Sequence, residues 1–502
     1  MNLDVQQTAL FRFVFLIGLY LFVLFIIQQV GSIFLRDPDI YWHVAVGRMI
    51  WQTKAFPHVD QLSYTFSGHA WIAKEWLSQL IFFGAYTLAG WRGVALLSAS
   101  VVALAYALLF LVLARSMRLS AAVGISVAAF IFSLGHFSAR PQVFADPLIV
   151  IWFASLVRAV ERKRSPSPVL FPIMMVWANL HASFTFGLAI AGLLAGEAIF
   201  DSPSKERTRV AKQWAVFLII AFGSACLTPY GFQPVLATFK VFVGNEALQY
   251  TREWQPTTLE ARGFYGPILL ALLSLALYYG VRLPFWRLSA FMFVLYLMFA
   301  HLRFTSLFAI VAPILLATPL VSQFSLLSLS RQIDTDPAFF EVMSRRSRRW
   351  LYPACSVIMG GVLAFGAYGT TMAPRAEITP AGAVDYIYEH QLVGNIYNPL
   401  NFGGYLIFRG IKTFIDGRTD QLFLENFMTN QMEVLHRNPP QFVSYLQQYN
   451  VALALVIPNS IEARELERSA DWQKIYSESV SDLFQKRSPA SLAPSRDRTA
   501  SP

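Results

Sequence analysis

Two aspartates near the start of the chain, Asp37 and Asp39, are the first candidates for chemistry because they directly follow a long apolar stretch. A bare carboxylate at the end of a membrane segment is costly to desolvate, which favours a functional site over a packing role. Pro38 restricts the backbone between them and presents the pair stiffly. The pair could act as a general base on an acceptor hydroxyl, or hold a divalent cation such as Mg²⁺ or Mn²⁺ through its oxygens. The structural alternative makes Asp39 the N-cap of a helix that begins near Tyr41.

The composition places these aspartates in a polytopic membrane protein. Of 502 residues, 55% are hydrophobic and only 14% are charged, which no soluble fold requires. The net charge of +10 would suggest nucleic-acid binding in a soluble chain. Here the basic residues cluster in short loops between apolar segments, which is the positive-inside pattern, so no nucleic-acid partner is expected.

Eleven apolar segments have the length needed to cross ~30 Å of hydrocarbon. They lie at about 12–34, 93–114, 119–137, 143–160, 168–182, 184–200, 213–229, 264–281, 286–301, 303–321 and 351–369. The positions of the basic loops predict that the N-terminus lies in the cytoplasm, on the inner side of the inner membrane. The first long loop is predicted to lie on the outer side of that membrane. The chain must then cross an odd number of times between residues 75 and 115, so the short apolar stretch 76–91 is predicted to lie along the membrane surface.

From about residue 370 the hydropathy drops, which predicts a second domain. Residues 370–485 contain a strand-like run, Val451–Ile457, and a Gly403-Gly404 pair that predicts a turn. We therefore expect a mainly α protein. Its transmembrane domain, 1–369, would include the outer loop 35–92 with juxtamembrane helices. A small periplasmic α/β domain, 370–485, and a disordered tail, 486–502, would follow.

This topology brings several charged residues to the outer face. Glu75 is a candidate catalytic residue at the start of a helix, where the dipole favours a carboxylate. Arg140 and Arg303 are predicted to lie on the outer side, where the positive-inside rule makes basic residues uncommon. Their position therefore favours an anionic partner such as the phosphate of a lipid donor. An ion pair between Arg140 and Asp146, or a lipid headgroup, is the alternative.

Neutral side chains complete the predicted substrate-binding set. Asn179 and His181 lie where an apolar segment is broken near its outer end, and polar groups at such breaks commonly line cavities. Hydrogen bonding between helices is the alternative. His43 follows the aspartates, and the nearby Trp42 and Trp71 are expected to anchor the loop at the interface.

Known catalytic motifs are otherwise absent from the sequence. No H-E-x-x-H or C-x-x-C spacing favours zinc, no Walker loop indicates ATP, and no G-x-S-x-G context indicates a serine nucleophile. No cofactor is implied apart from the divalent cation that Asp37 and Asp39 could bind.

Several short motifs give the chain a family resemblance. It resembles the GT-C class of membrane glycosyltransferases, and within it the bacterial branch related to protein mannosyltransferases, lipid A aminoarabinose transferases and RgtA/B/C/D-like proteins. The likeness covers the first ~320 residues as topology. Its motifs are Asp37-Pro38-Asp39 with Trp42-His43, Lys74-Glu75-Trp76-Leu77, Ala139-Arg140-Pro141-Gln142 and Asn179-Leu180-His181. A bacterial subgroup of this class is also similar in Pro229-Tyr230-Gly231, in Glu253-Trp254, and in the stretch from Asn395 to Asp420 with Gly403-Gly404-Tyr405 and Asp416-Gly417-Arg418.

The resemblance implies a polyprenyl-phosphate-linked sugar donor and an acceptor glycan, lipid or protein on the outer face of the cell envelope. It implies that the acidic residue of the first outer loop, here Asp37 or Asp39, is a catalytic base or metal ligand. It also implies a second acidic residue from a later outer loop, for which Asp146 and Glu253 are the candidates. Lys74 departs from the family pattern, which has histidine beside the glutamate.

Two other classes of function compete with a glycosyltransferase. A transporter or flippase of lipid-linked sugars would use the same ligand, but no inverted repeat is found and the carboxylates cluster at one mouth instead of the midplane. A non-catalytic envelope assembly protein would keep the fold and bind the lipid without turnover.

Overall fold

The computed structural model describes residues 33–242, 252–257, 265–325, 327, 372–424 and 426–487. The chain forms two compact units. Among the described residues, the helical unit takes in the chain up to Leu35, Lys74–Lys240 and those of Gln249–Ala373, and the α/β unit consists mainly of Arg36–Ala73 and the chain from Pro374 to residue 487. The predicted spans 351–369 and, apart from its last two residues, 12–34 lie outside the described residues.

One helix of the α/β unit, α1 (Asp39–Thr53), precedes the described helices of the helical unit in the chain. The helices of the helical unit follow in order: α2 (Trp76–Leu113), α3 (Leu119–Ser133), α4 (Gln142–Glu161), α5 (Leu170–Leu180), α6 (Phe184–Phe200), α7 (Arg207–Ala225), α8 (Gln233–Phe242), α9 (Tyr265–Tyr278), α10 (Phe285–Ala300) and α11 (Thr305–Gln323). Most are apolar on all sides, as expected of helices that are buried or face lipid.

Helix α4 is at the centre of this bundle, where it packs against α2, α5, α6 and α11. Among the described residues, four segments are long and apolar enough to cross a membrane: Trp76–Leu113, Leu119–His136, Gln142–Glu161 and Leu302–Gln323. Shorter apolar helices accompany them. The predicted multi-pass helical architecture is therefore confirmed.

Helix α2 is broken at Ala89 and Gly90, whose backbone angles are not helical. Gly90 has φ 59° and ψ −151°, a conformation that is open essentially only to glycine. The break falls where the sequence separates the stretch 76–91 from the span 93–114. The placement of the first segment along the membrane surface stays a prediction.

The α/β unit continues with α12 (Ala381–Glu389), β1 (Asn395–Tyr397), α13 (Leu400–Phe408), α14 (Phe427–His436), α15 (Phe442–Gln448), β2 (Val451–Val456), α16 (Ile461–Arg468), β3 (Trp472–Ser477) and β4 (Asp482–Lys486). The strands form one sheet in the order β1-β2-β4-β3. β1 and β2 are parallel, with Ile396 opposite Leu453, and the other two pairings are antiparallel. β2 is central, which explains its continuous apolar sequence.

The predicted turn at Gly403-Gly404 is wrong, because both glycines lie within helix α13. A Cβ on Gly403 would overlap the carbonyl oxygen of Ile415, and one on Gly404 would overlap that of Pro38. The pair is therefore explained by close packing of α13 against neighbouring backbone.

The expected interfacial anchoring of two tryptophans is also wrong. Trp42 is 8% exposed and Trp71 is 3% exposed, so both belong to the core of the α/β unit. The guanidinium of Arg418 lies 4.8 Å from the centre of the Trp71 ring.

The loop predicted to lie on the outer side packs differently from the predicted domain division, which assigns residues 35–92 to the transmembrane domain. Residues 36–73 pack with the chain from Pro374 onward, and α1 lies against α13. The backbone N–H of Tyr64 donates to Thr413, and that of Thr413 donates to Leu62. The loop thus completes the core of the C-terminal domain.

Candidate functional site

Arg140 and Glu253 form an ion pair within the helical unit. Arg140 lies in the turn before α4, where the neighbouring Ala139 N–H donates to the carbonyl of Phe34 at 2.8 Å. The two side chains are only 17% and 31% exposed. Of the two later acidic candidates, Glu253 is thus the one that reaches Arg140, whereas Asp146 is 6% exposed within α4.

The segment that carries Glu253 is held by residues that follow α10. The Trp254 carbonyl lies 2.7 Å from Nδ1 of His301, and the Gln255 carbonyl accepts from the Leu302 N–H at 3.0 Å. The Arg303 guanidinium lies 4.4 Å from the centre of the Trp254 ring, a cation–π distance. Arg303 is thereby placed beside the ion pair.

Burial acts to raise the pKa of Glu253, but Arg140 and Arg303 outweigh it and hold the pKa of this carboxyl below its usual value. Glu253 is therefore ionised at neutral pH. The net charge of the three groups is positive, because two guanidinium groups face one carboxylate. This arrangement suits a further anion.

Glu75 and His181 form a second pair in the helical unit. Glu75 precedes α2, and its Oε1 lies 3.7 Å from Nε2 of His181, with both side chains less than 15% exposed. Ser183 donates its backbone N–H to Nδ1 of His181 at 3.2 Å, so Nδ1 acts as an acceptor. A neutral ring in this setting carries its proton on Nε2, which faces Glu75.

Burial lowers the pKa of His181 well below its usual value, and the charges of Arg303, Lys74 and Arg140 lower it further. These three cations therefore act on one histidine. Lys74, which departs from the family pattern, contributes positive charge to the same cluster. We call Lys74, Glu75, Arg140, His181, Glu253 and Arg303 the charged cluster.

The neutrality of His181 makes the stability of the protein depend on pH. The unfolded chain binds a proton at this histidine below about pH 6.5, whereas the folded protein does not, so stability falls as the pH drops through that value. We expect a smaller decrease in melting temperature between pH 7.5 and 5.5 for His181→Gln than for the wild-type protein. Substitution of the exposed His390 is the control, and equal pH slopes in all three proteins would contradict the assignment.

Asn179 has a clear structural role. Its Oδ1 accepts from Nε1 of Trp76 at 2.7 Å, and its Nδ2 donates to the carbonyls of Met175 and Leu227 at 2.8 and 3.0 Å. Asn179 thus joins the start of α2 to α5 and to the end of α7. This is the pattern of the helix-bridging alternative, and binding of substrate by Asn179 stays a prediction.

The aspartate pair belongs to the α/β unit, where helix α1 begins at Asp39 itself. The Asp39 backbone N–H donates to Oδ1 of Asp37 at 3.0 Å. The N-cap alternative for Asp39 is therefore wrong, and Asp37 supplies an acceptor at the helix start. Both residues are half-buried, and His43 packs against Trp42 with ring centres 3.7 Å apart.

The Asp416-Gly417-Arg418 motif packs directly on Asp39. A Cβ on Gly417 would overlap Oδ1 of Asp39. Arg418 donates to both oxygens of Asp416 at 2.7 Å and to Oδ1 of Asp60 at 2.6 Å, and all three side chains are at most 1% exposed. Despite the cost of its burial, these carboxylates raise the pKa of Arg418 above its usual value.

Metal binding by the aspartate pair stays a prediction. Among the described residues, no group of three or more His, Cys, Asp or Glu side chains is arranged to hold a metal ion. A cation held by Asp37 and Asp39 would therefore need other oxygens as further ligands, such as those of backbone carbonyls, water or substrate.

Comparisons with known proteins bear on the fold. No family model and no curated protein matches the sequence. The crystal structure of the Archaeoglobus fulgidus oligosaccharyltransferase, tethered with an acceptor peptide containing the NVT sequon, is similar with a TM-score of 0.51 and 11% identity. The match covers 87% of this chain and 68% of that one. The fold is of the GT-C type.

Structures of ArnT from Cupriavidus metallidurans are also similar. The complex with undecaprenyl phosphate has a TM-score of 0.47 and 14% identity, over 94% of this chain and 97% of that one. The apo structure has a TM-score of 0.47 and 15% identity, over 96% and 98%.

Within this GT-C fold, sequence reasoning missed several residues that shape the two sites. Ser183 orients His181, and Trp254 and His301 position the Glu253 segment. In the sequence, the adjacent Glu253-Trp254 motif was the only signal that the Glu253 segment is positioned in this way. Trp42 lies one helical turn from Asp39, which is the spacing of neighbours on one face of a helix, and this spacing was the available signal for its place beside the carboxylate.

Proposed function

We propose that the protein is an inverting glycosyltransferase that moves a sugar from a polyprenyl-phosphate-linked donor to an acceptor on the outer face of the inner membrane. The observation that carries the proposal is the charged cluster, in which three cations surround two carboxylates and a neutral histidine within an apolar helical unit. Such a cluster suits a phosphate whose lipid tail stays in the bilayer. The GT-C fold and the motif resemblance support the same reaction class.

On the donor side, Arg140 and Arg303 would bind the phosphate, and Lys74 would add charge without the planar geometry of guanidinium. The Arg140–Glu253 pair keeps the arginine oriented, and the net positive charge remains available to the leaving group. Positively charged donors that are fixed before the reaction stabilise a developing phosphate charge without reorganisation.

On the acceptor side, Asp39 would be the general base. It would take the proton of the acceptor hydroxyl while the oxygen of that hydroxyl forms a bond to the anomeric carbon. The bond between that carbon and the phosphate oxygen would break, releasing polyprenyl phosphate. Asp37 would orient Asp39 through the start of α1.

Binding of undecaprenyl phosphate to the purified protein in nanodiscs tests the donor site. We expect micromolar binding by native mass spectrometry, and a dissociation constant about tenfold or more higher for Arg303→Gln, because one charge-assisted hydrogen bond contributes about 1.5–3 kcal/mol. Arg209→Gln is the control, because Arg209 is 67% exposed and pairs only with Glu206 among the described residues. Equal affinities in all three proteins would argue against this phosphate site.

Turnover separates a transferase from the two competing functions. The protein is incubated with undecaprenyl-phosphate sugars and acceptor-containing membranes from cells that lack the gene, and the release of undecaprenyl phosphate is followed by mass spectrometry. Release coupled to labelled product supports transfer. Binding of the donor without release from any sugar would favour an assembly protein.

A further inference from the structure

The indole N–H of Trp42, in the α/β unit, is a buried hydrogen-bond donor. The residue is 8% exposed, and its indole Nε1 has no hydrogen-bond partner among the described residues. A buried N–H without a partner is costly, and native proteins keep few of them. The ring is fixed by its contact with His43, so the direction of the N–H is fixed too.

This donor lies beside the Asp39 carboxylate. Asp39 and Trp42 are three residues apart in α1 and share one face of the helix. The position that a Cβ on Gly417 would take lies 3.0 Å from Trp42 Nε1 and overlaps Asp39 Oδ1. A donor and an acceptor therefore lie side by side against the backbone of Gly417.

The backbone at Gly417 is held rigidly. Gly417 stands between Asp416 and Arg418, which are joined by paired hydrogen bonds at 2.7 Å and tied to Asp60. Buried networks of this kind hold their backbone in one position. Glycine at position 417 lets the Asp39 carboxylate approach this backbone closely, because any side chain there would overlap it.

We infer that Trp42 is a substrate-binding residue whose indole N–H donates a hydrogen bond to the acceptor hydroxyl that Asp39 deprotonates. A hydroxyl donates one hydrogen bond and accepts others, so it matches a carboxylate beside an N–H. The indole N–H holds the hydroxyl oxygen in place while the hydroxyl proton passes to Asp39. A lone pair of that oxygen is then free to attack the anomeric carbon of the sugar. The inference rests on the proposed function, and it makes the C-terminal domain a structural part of the acceptor site through Gly417.

Trp42→Phe tests the inference, because phenylalanine keeps an aromatic ring and lacks the N–H. We expect release of undecaprenyl phosphate from the donor to slow by about tenfold or more, with an unchanged dissociation constant for undecaprenyl phosphate. Trp472→Phe is the matched control. Trp472 is also buried in the α/β unit, with an Nε1 that lacks a partner among the described residues.

A wild-type rate for Trp42→Phe would overturn the inference, as would an equal loss in Trp472→Phe. If Trp42→Phe does not fold, 3-benzothienylalanine at position 42 repeats the test, because it replaces only the N–H with sulfur. Asp39→Asn distinguishes the two proposals. Full activity of that variant would refute the proposed base, whereas an inactive Asp39→Asn with a fully active Trp42→Phe refutes only the role of Trp42.

Discussion

Replacement of Asp39 by asparagine is expected to slow sugar transfer by about 10²- to 10⁴-fold, the usual contribution of a general base. Asparagine has nearly the same shape and keeps the start of α1, but it cannot accept the proton of the acceptor hydroxyl. The measurement is the release of undecaprenyl phosphate from its sugar conjugate, with the melting temperature of each variant as a check of folding.

Asp37→Asn is the matched control for this prediction. The Asp37 side chain accepts a hydrogen bond from the backbone N–H of Asp39. The side-chain carbonyl of asparagine can accept the same hydrogen bond. We therefore expect a smaller loss for Asp37→Asn than for Asp39→Asn. Rescue of either variant by added Mg²⁺ or Mn²⁺ would indicate metal coordination, whereas full activity of both would exclude the pair from catalysis.

Loss of the Arg418 side chain should destabilise the α/β unit more than any other single change proposed here. Arg418→Ala leaves Asp60 and Asp416 buried without their counter-charge, and breaking a buried pair in this way costs about 3–5 kcal/mol. The unfolding free energy of this unit can be measured in the intact protein by pulse proteolysis in urea.

Arg409→Ala provides the comparison. Arg409 pairs with Asp385 at 2.8 Å, but these side chains are 28% and 55% exposed, so the expected cost is about 0–1 kcal/mol. A change below 1 kcal/mol for Arg418→Ala would mean that the two aspartates find other partners, and that the motif does not hold the outer loop in place.

The architecture was accessible from the sequence because its signals are local. An apolar helix long enough to cross a bilayer needs only consecutive apolar residues, and β2 was visible as Val451–Ile457 because a central strand is apolar on both faces. The Gly403-Gly404 pair misled because glycine permits both turns and close packing. Which of the two applies depends on the backbone of Ile415 and Pro38, which no local pattern reveals.

The sequence by itself determined a multi-pass helical protein with a small C-terminal α/β domain, and it supplied a set of charged candidates whose side of the membrane stays a prediction. Only the tertiary structure decided which candidates meet. Glu253, 113 residues after Arg140, is its partner, and residues 36–73 share a core with the chain from Pro374. The reason is physical. Helix length and hydrophobicity are set by neighbouring residues, whereas ion pairs and close glycine contacts depend on packing between segments that are distant in the chain.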